Sequence, residues 1–330
     1  MFSRRINRFL VALVLLLLCG TACTSSPTAA GKITLGFSAW PGWFPWQVAQ
    51  DQGFFHRNGV DVELKYFDSY TDSLNALSSG AIDANSQTLN DTLASVSGGA
   101  HQTVILVNDN STGNDQVIAR EGISGVADLK GKKVAVEQGT VDHYLLLLAL
   151  TEAGLSQKDV ELVPLATDAA AAAFVAGKVD AVGAFAPFTT TALQRAGSRA
   201  VATSAEFPGA IPDHLVVSSA FAKNRPEAAQ ALVNTWFDTL DWIKQNHDQA
   251  VEIMARRGGV NAGDYRNYDA GTTIFTLRQN LDAFTPGVTP THLNHQAGQI
   301  ADFMTSTGLT PKRPSLDGLF DDKFVKAVQR

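Results

Sequence analysis

The chain has 330 residues, with 26 basic against 32 acidic side chains, a net charge of −6 and 45% hydrophobic residues. An acidic balance of this kind argues against nucleic acid as a partner. Roughly 300 residues beyond an N-terminal leader exceed what one core usually organises, so two lobes are expected.

The first element in chain order is the leader, residues 1–22. Arg4, Arg5 and Arg8 precede an apolar run over 9–18 and small residues before Cys23, the pattern of a secretory signal. The run is too short to span a bilayer as a structural helix. "LLCGTAC" resembles a bacterial lipobox, in which Ala22 precedes a Cys23 that would carry the lipid, although Gly20 stands where Leu is usual. Cys19 leaves with the leader, so Cys23 remains as the one thiol of an exported chain, suited to an anchor and unable to form an internal disulfide. A soluble periplasmic protein cut nearby is the alternative. Loss of the leader's three arginines takes the net charge from −6 to −9. Residues 23–31 read as a flexible tether.

The strand-like "KITLGFSA" then runs into "WPGWFPW" at residues 40–46, which holds three of the chain's five tryptophans. Proline favours extended or polyproline-like backbone with three residues per turn. That spacing lets Trp40, Trp43 and Trp46 present two or all of their rings on one side, as a wall for a planar or cationic ligand. The alternative is core packing, more so for Trp46 than for Trp43.

Internal similarity follows. "DVEL" occurs at 61–64 and again at 159–162, and "GAIDA" at 80–84 is echoed by "GKVDA" at 177–181. Order and spacing match, and each Gly follows a helical stretch as a C-terminal cap would. A strand–helix–strand–helix–strand unit therefore occurs twice, which specifies α/β lobes with mainly parallel sheets flanked by helices. Ligands in such sheets bind beyond the carboxyl ends of the strands.

Taken in order, "WPGWFPWQVAQDQGFFHRNGVDVELKYF", "LSSGAIDANSQTLND", "GVADLKGKKVAVEQGTVDHYLLLLALTEAGL", "AAFVAGKVDAVGAFAPF" and "PDHLVVSSAFAKN" resemble the solute-binding proteins of nitrate/sulfonate/taurine-type ABC importers, a family that also includes binders of thiamine-pyrimidine precursors. The resemblance implies a two-lobed periplasmic-binding-protein fold of type II, with crossovers near 114–119 and 213–218. The first lobe would then hold residues 32–115, the second 116–213, and residues 214–330 would return to the first lobe and add C-terminal helices. It also implies a small-molecule solute, permease and ATPase partners, a monomer, and a location in the periplasm or at the cell surface, held to a membrane by lipid on Cys23. No cofactor, metal or catalytic residue is expected. The chain has no Gly-x-Ser-x-Gly elbow, "GVADLKGKK" is not a nucleotide-binding loop, and the cysteine-rich site of the thiamine-pyrimidine synthases that resemble this family is lacking. A surface sensor using the same fold is a further alternative.

By the same resemblance the aromatic loop, with Trp40 and Trp43, lines the cleft, as do Gln87, Thr88 and Asp91 after the third strand. In "VEQGTVDHY" the candidates are Glu137, Thr140 as a helix cap, Asp142 and His143; Phe185 and Asp213 complete the set. None of these segments contains Lys or Arg, whereas an anion binder is expected to offer basic groups or helix amides. Carboxylates beside indoles suit a small cation such as an amine or guanidinium compound. The open alternatives are that the acids favour helix N-termini, and that the ligand is a sulfonate, taurine or nitrate-type anion or a pyrimidine precursor.

Overall fold

The computed structural model describes residues 31–329, so the leader, Cys23 and the tether through residue 30 lie outside the described residues. Eleven strands are assigned in them: β1 (Ile33–Phe37), β2 (Val62–Tyr66), β3 (Ala84–Thr88), β4 (Gln102–Ser111), β5 (Asp115–Ala119), β6 (Lys133–Val136), β7 (Glu161–Pro164), β8 (Ala181–Phe185), β9 (Arg199–Thr203), β10 (Pro212–Ser218) and β11 (Thr272–Ile274). They form two sheets, ordered β11-β4-β10-β3-β1-β2 and β7-β6-β8-β5-β9.

The repeated words occupy equivalent places in these sheets, and hydrogen bonding explains why. The Asp83 carboxylate accepts the Thr34 backbone N–H of β1 at 2.9 Å, and the Asp180 carboxylate accepts the Lys133 N–H of β6 at 3.0 Å. Their own backbone N–H groups donate to the carbonyls of the same two residues. Each Asp thus clamps the start of an inner strand of its sheet, β1 or β6, and the next residue, Ala84 or Ala181, pairs with that strand. Gly80 and Gly177 both have φ in the left-handed region, +76° and +71°, where a side chain is disfavoured and the preceding helix is released into the strand.

In the first sheet β1, β2, β3 and β4 share one direction, while β10 and β11 oppose it. In the second, β5 alone opposes β6, β7, β8 and β9. The opposed pairs arise where the chain changes sheets: β5 is the first strand after one passage and β10 the first after the other. The passages, at residues 112–114 and 207–211, lie a few residues before the crossovers expected from the sequence, so Asp115 falls on the second sheet and Asp213 on the first; they are tied together by the Ser111 N–H to the Ile211 carbonyl at 2.9 Å. The C-terminal region supplies helices and also β11, a three-residue edge strand too short to carry a period-2 pattern.

Polarity changes along the strands in a way that positions the site. β4 reads "QTVILVNDNS" and is buried throughout: its apolar half lies in the core, its polar half at the end facing the other lobe. β3, "ANSQT", is buried as well and ends at the same seam.

Because each clamp satisfies a strand amide, Asp83→Ala should lower stability by about 1–3 kcal/mol, the usual cost of stranding such a donor. Urea unfolding of the wild type and variant measures this, and an unchanged midpoint would remove the clamp from the account of the fold.

Candidate functional site

Between the two sheets lies an enclosed cavity of about 10 Å³ lined by Trp40, Trp43, Tyr70, Thr88, Asp115, Val141, Phe185 and Asp213. Four of these rings close a circuit: Trp40 to Trp43 at 6.5 Å between centroids, Trp43 to Tyr70 at 5.4 Å, Tyr70 to Phe185 at 6.2 Å and Phe185 to Trp40 at 6.3 Å. Phe185 belongs to the second sheet and the other three to the first lobe, so the circuit is complete only when the lobes meet.

The aromatic loop is built differently from the extended wall expected. It folds as successive tight turns, with the Trp43 N–H donating to the Trp40 carbonyl at 3.0 Å and the Trp46 N–H to that of Trp43 at 3.1 Å. Pro45 starts the helix Pro45–Asp51, where a missing N–H costs nothing. These turns send Trp40 and Trp43 to the cavity and Trp46 into the core. There its ring lies 4.7 Å from that of Trp236, and its indole N–H bonds Ser86 at 2.9 Å.

Trp40 is fixed by its indole N–H, which donates to Asp109 Oδ1 at 2.9 Å. Asp109 packs so closely under the loop that a Cβ added to Gly42 would lie 2.0 Å from Asp109 Oδ2. On the far side, the Tyr70 hydroxyl accepts the Thr88 N–H at 3.0 Å, and the Thr88 hydroxyl donates to Asp91 at 2.6 Å. Asp91 therefore holds Thr88 and Tyr70 in place from behind and does not line the cavity.

Glu137 joins the lobes. One oxygen accepts the N–H and hydroxyl of Thr71 at 3.0 and 2.5 Å, and the other accepts the N–H and hydroxyl of Thr167 at 3.3 and 2.8 Å. Thr71 lies in the helix Tyr70–Ser78 of the first lobe and Thr167 in the helix Thr167–Val175 of the second. The Thr167 hydroxyl is also 2.7 Å from Asp142 Oδ2. A hydroxyl has one proton to give, so Thr167 serves one of these two acids at a time.

Three expected residues turn elsewhere. Gln87 points to the opposite face of β3 from Thr88, as alternation requires, and bonds Asn85, Thr92 and Gln102. Thr140 stands at the N-cap position, but its hydroxyl donates to the Glu137 carbonyl at 2.8 Å and caps no helix amide. His143 faces Gln157, at 3.0 Å, and the Gly139 N–H. Tyr70, Asp109 and Asp115 escaped the sequence reading. For the two acids a signal existed: "VILVNDNSTGND" puts carboxylates at the end of an apolar strand, at the partner crossover to Asp213.

Among the described residues no basic side chain lines the cavity. Burial pushes the carboxyls of Asp91, Asp109 and Asp115 up to about 7 and that of Asp213 well above the usual carboxylate range, the charges of Asp109 and Asp115 adding to the last. Asp142 is raised likewise by burial. Neither Asp213 oxygen accepts a hydrogen bond from the described residues, and the Trp43 indole N–H finds no acceptor. Among the described residues no helix is long and apolar enough to cross a membrane, and no group of three metal-ligating side chains occurs.

Comparison with known proteins follows the same architecture. The profile of the NMT1-like family matches residues 27–256. A Brucella abortus protein named as a candidate binding protein is 30% identical over 216 residues, 63% of this chain, and the match spans 66% of that protein's length. The taurine-binding periplasmic protein of Escherichia coli is 29% identical over 280 residues, 81% of this chain and 84% of its own. Among solved structures, the alkanesulfonate-binding protein SsuA of Xanthomonas axonopodis pv. citri superposes with a TM-score of 0.76 at 19% identity, over 88% of this chain and 98% of SsuA.

A carboxyl raised from 3.8 in the unfolded chain to about 7 when folded binds its proton more tightly in the folded state, so its contribution to stability declines as pH rises between those values. Without an organic cation present, the melting temperature should fall between about pH 5 and pH 8, and Asp213→Asn should flatten the decline. A melting temperature that rises over that interval would show that these acids are paired.

Proposed function

Because this chain belongs to the NMT1-like family, we propose that it is the extracytoplasmic solute-binding component of an ABC importer, and that its ligand is a small organic cation bearing N–H groups, such as an amine or guanidinium compound. The carrying observation is the ring circuit of Trp40, Trp43, Tyr70 and Phe185 around a cavity whose ionisable carboxyl groups are Asp115 and Asp213, with no basic side chain among its lining residues. Aromatic faces attract a desolvated cation by about 0.5–2 kcal/mol each. The bare oxygens of Asp213 favour a ligand that donates hydrogen bonds over a fully alkylated ammonium.

The first lobe presents Trp40, Trp43, Tyr70, Thr88 and Asp213, and the second brings Asp115, Val141 and Phe185. Closure adds the Glu137 bonds to Thr71, and it needs a ligand that favours the closed state. Delivery to a permease driven by a separate ATPase, without bond chemistry, completes the role. Export to the periplasm or cell surface and lipid attachment at Cys23 belong to the same proposal. The names of the relatives support the other reading, a taurine, sulfonate or nitrate-type solute, with a pyrimidine precursor as a third. An anion would meet the acids just described without a basic partner.

A thermal-shift screen of the exported form, with Cys23 replaced, compares guanidinium, methylammonium, taurine, alkanesulfonates, nitrate and pyrimidine precursors at millimolar concentration. Stabilisation by the cations is expected, and stabilisation by an anion alone would reverse the assignment. Trp43→Ala should weaken cation binding about 2- to 30-fold, and Asp213→Asn at least 30-fold, both with the fold intact by circular dichroism. Glu137→Gln should weaken it less, since it disturbs closure and leaves every cavity-lining residue in place.

A further inference from the structure

The register of the first sheet sets Asp109 of β4 opposite Asp213 of β10, which places their Cβ atoms about 5 Å apart. Both are buried, at 0% and 1% exposure. Asp109 Oδ1 holds the Trp40 indole N–H, while Asp109 Oδ2 and both Asp213 oxygens receive no donor from the described residues. The ionisable groups that act on this pair from surrounding elements are Asp115 on β5, Asp91 in the helix Leu89–Ser97 and the phenols of Tyr70 and Tyr265. His214, next along β10, points to the opposite face and stays neutral, burial holding it down at about 3. Two facing carboxyls in such an enclosure do not both ionise.

We propose that Asp109 and Asp213 share one proton in the closed, cation-free site, and that an entering cation displaces it to solvent, so that binding exchanges ligand for a proton at constant enclosed charge. The shared proton supplies the hydrogen bond that no neighbouring donor offers these oxygens. The Trp43 indole N–H, also without a partner, lines the same cavity as Asp213 and is a second, independent polar group there that the protein leaves unmatched. The exchange deepens the cation reading and rests on it. Its consequence is regulation: acidification releases solute, and a neutral or alkaline exterior loads it.

Calorimetric titration of the exported form with guanidinium chloride at millimolar concentration, in buffers of different ionisation enthalpy, counts the protons released. About one proton per guanidinium is expected near pH 6, with affinity rising up to tenfold per pH unit from about pH 5 to pH 7 and levelling above. Asp109→Asn should retain weakened binding and lose both the proton release and the pH slope. Binding of guanidinium with buffer-independent heat and constant affinity from about pH 5 to 8 would overturn the exchange alone. Failure of guanidinium and methylammonium to bind where taurine does would overturn the cation reading and the exchange with it. Infrared spectra of the cation-free protein provide a ligand-independent check. A buried protonated-carboxyl band should be present near neutral pH and should change in both Asp109→Asn and Asp213→Asn, and its absence from the wild type would sink the shared proton whichever ligand binds.

Discussion

The constraint on which the cleft depends is the cost of holding carboxyl groups away from water. Asp91, Asp109, Asp115, Asp142 and Asp213 are at most 2% exposed, and an isolated carboxylate in such surroundings is strongly disfavoured. Three remedies exist: retain a proton, collect donors, or enclose a positive charge. The acids of the cleft differ in which of these they can draw on from the protein itself, and the donors that each receives separate them.

Glu137 and Asp213 mark the extremes. Glu137 receives four donors, two from each lobe, so both its oxygens are fully engaged by the protein. Asp213 receives none, although it sits on a central strand rigid enough to offer donors had the site required them. Asp142 and Asp91 fall between, bonded to threonine hydroxyls behind the cavity wall. Acids of equal burial thus have unequal roles, decided by the donors that each lacks.

The fold was legible where the sequence repeats carry a hydrogen-bonding duty. Asp83 and Asp180 recur because each clamps the start of the strand beside its own, β1 or β6, and the flanking glycines recur because each helix must end in the left-handed region. The site was legible residue by residue but not in its geometry. Trp40, Trp43, Thr88, Phe185 and Asp213 were singled out and do line the cavity, yet the aromatic loop coils through i→i+3 bonds where proline suggested extension. Gln87 and Thr88 differ only by which face of β3 they take, a matter of register that a five-residue polar strand does not announce. Asp109 and Asp115 lie more than 90 residues before Asp213 in sequence, and only the ladder of β4 with β10 and the meeting of the two sheets bring them together.

Gly42 gives the site an evolutionary consequence. A side chain at 42 collides with Asp109, and without Asp109 the Trp40 indole loses its acceptor and Asp213 loses the carboxyl opposite it. Positions 40, 42, 109 and 213 therefore constrain one another, and exchanges among them are not additive. Within this scaffold a change at any one of the four is a valley crossing, in which intermediate sequences carry either a crowded loop or an unmatched acid.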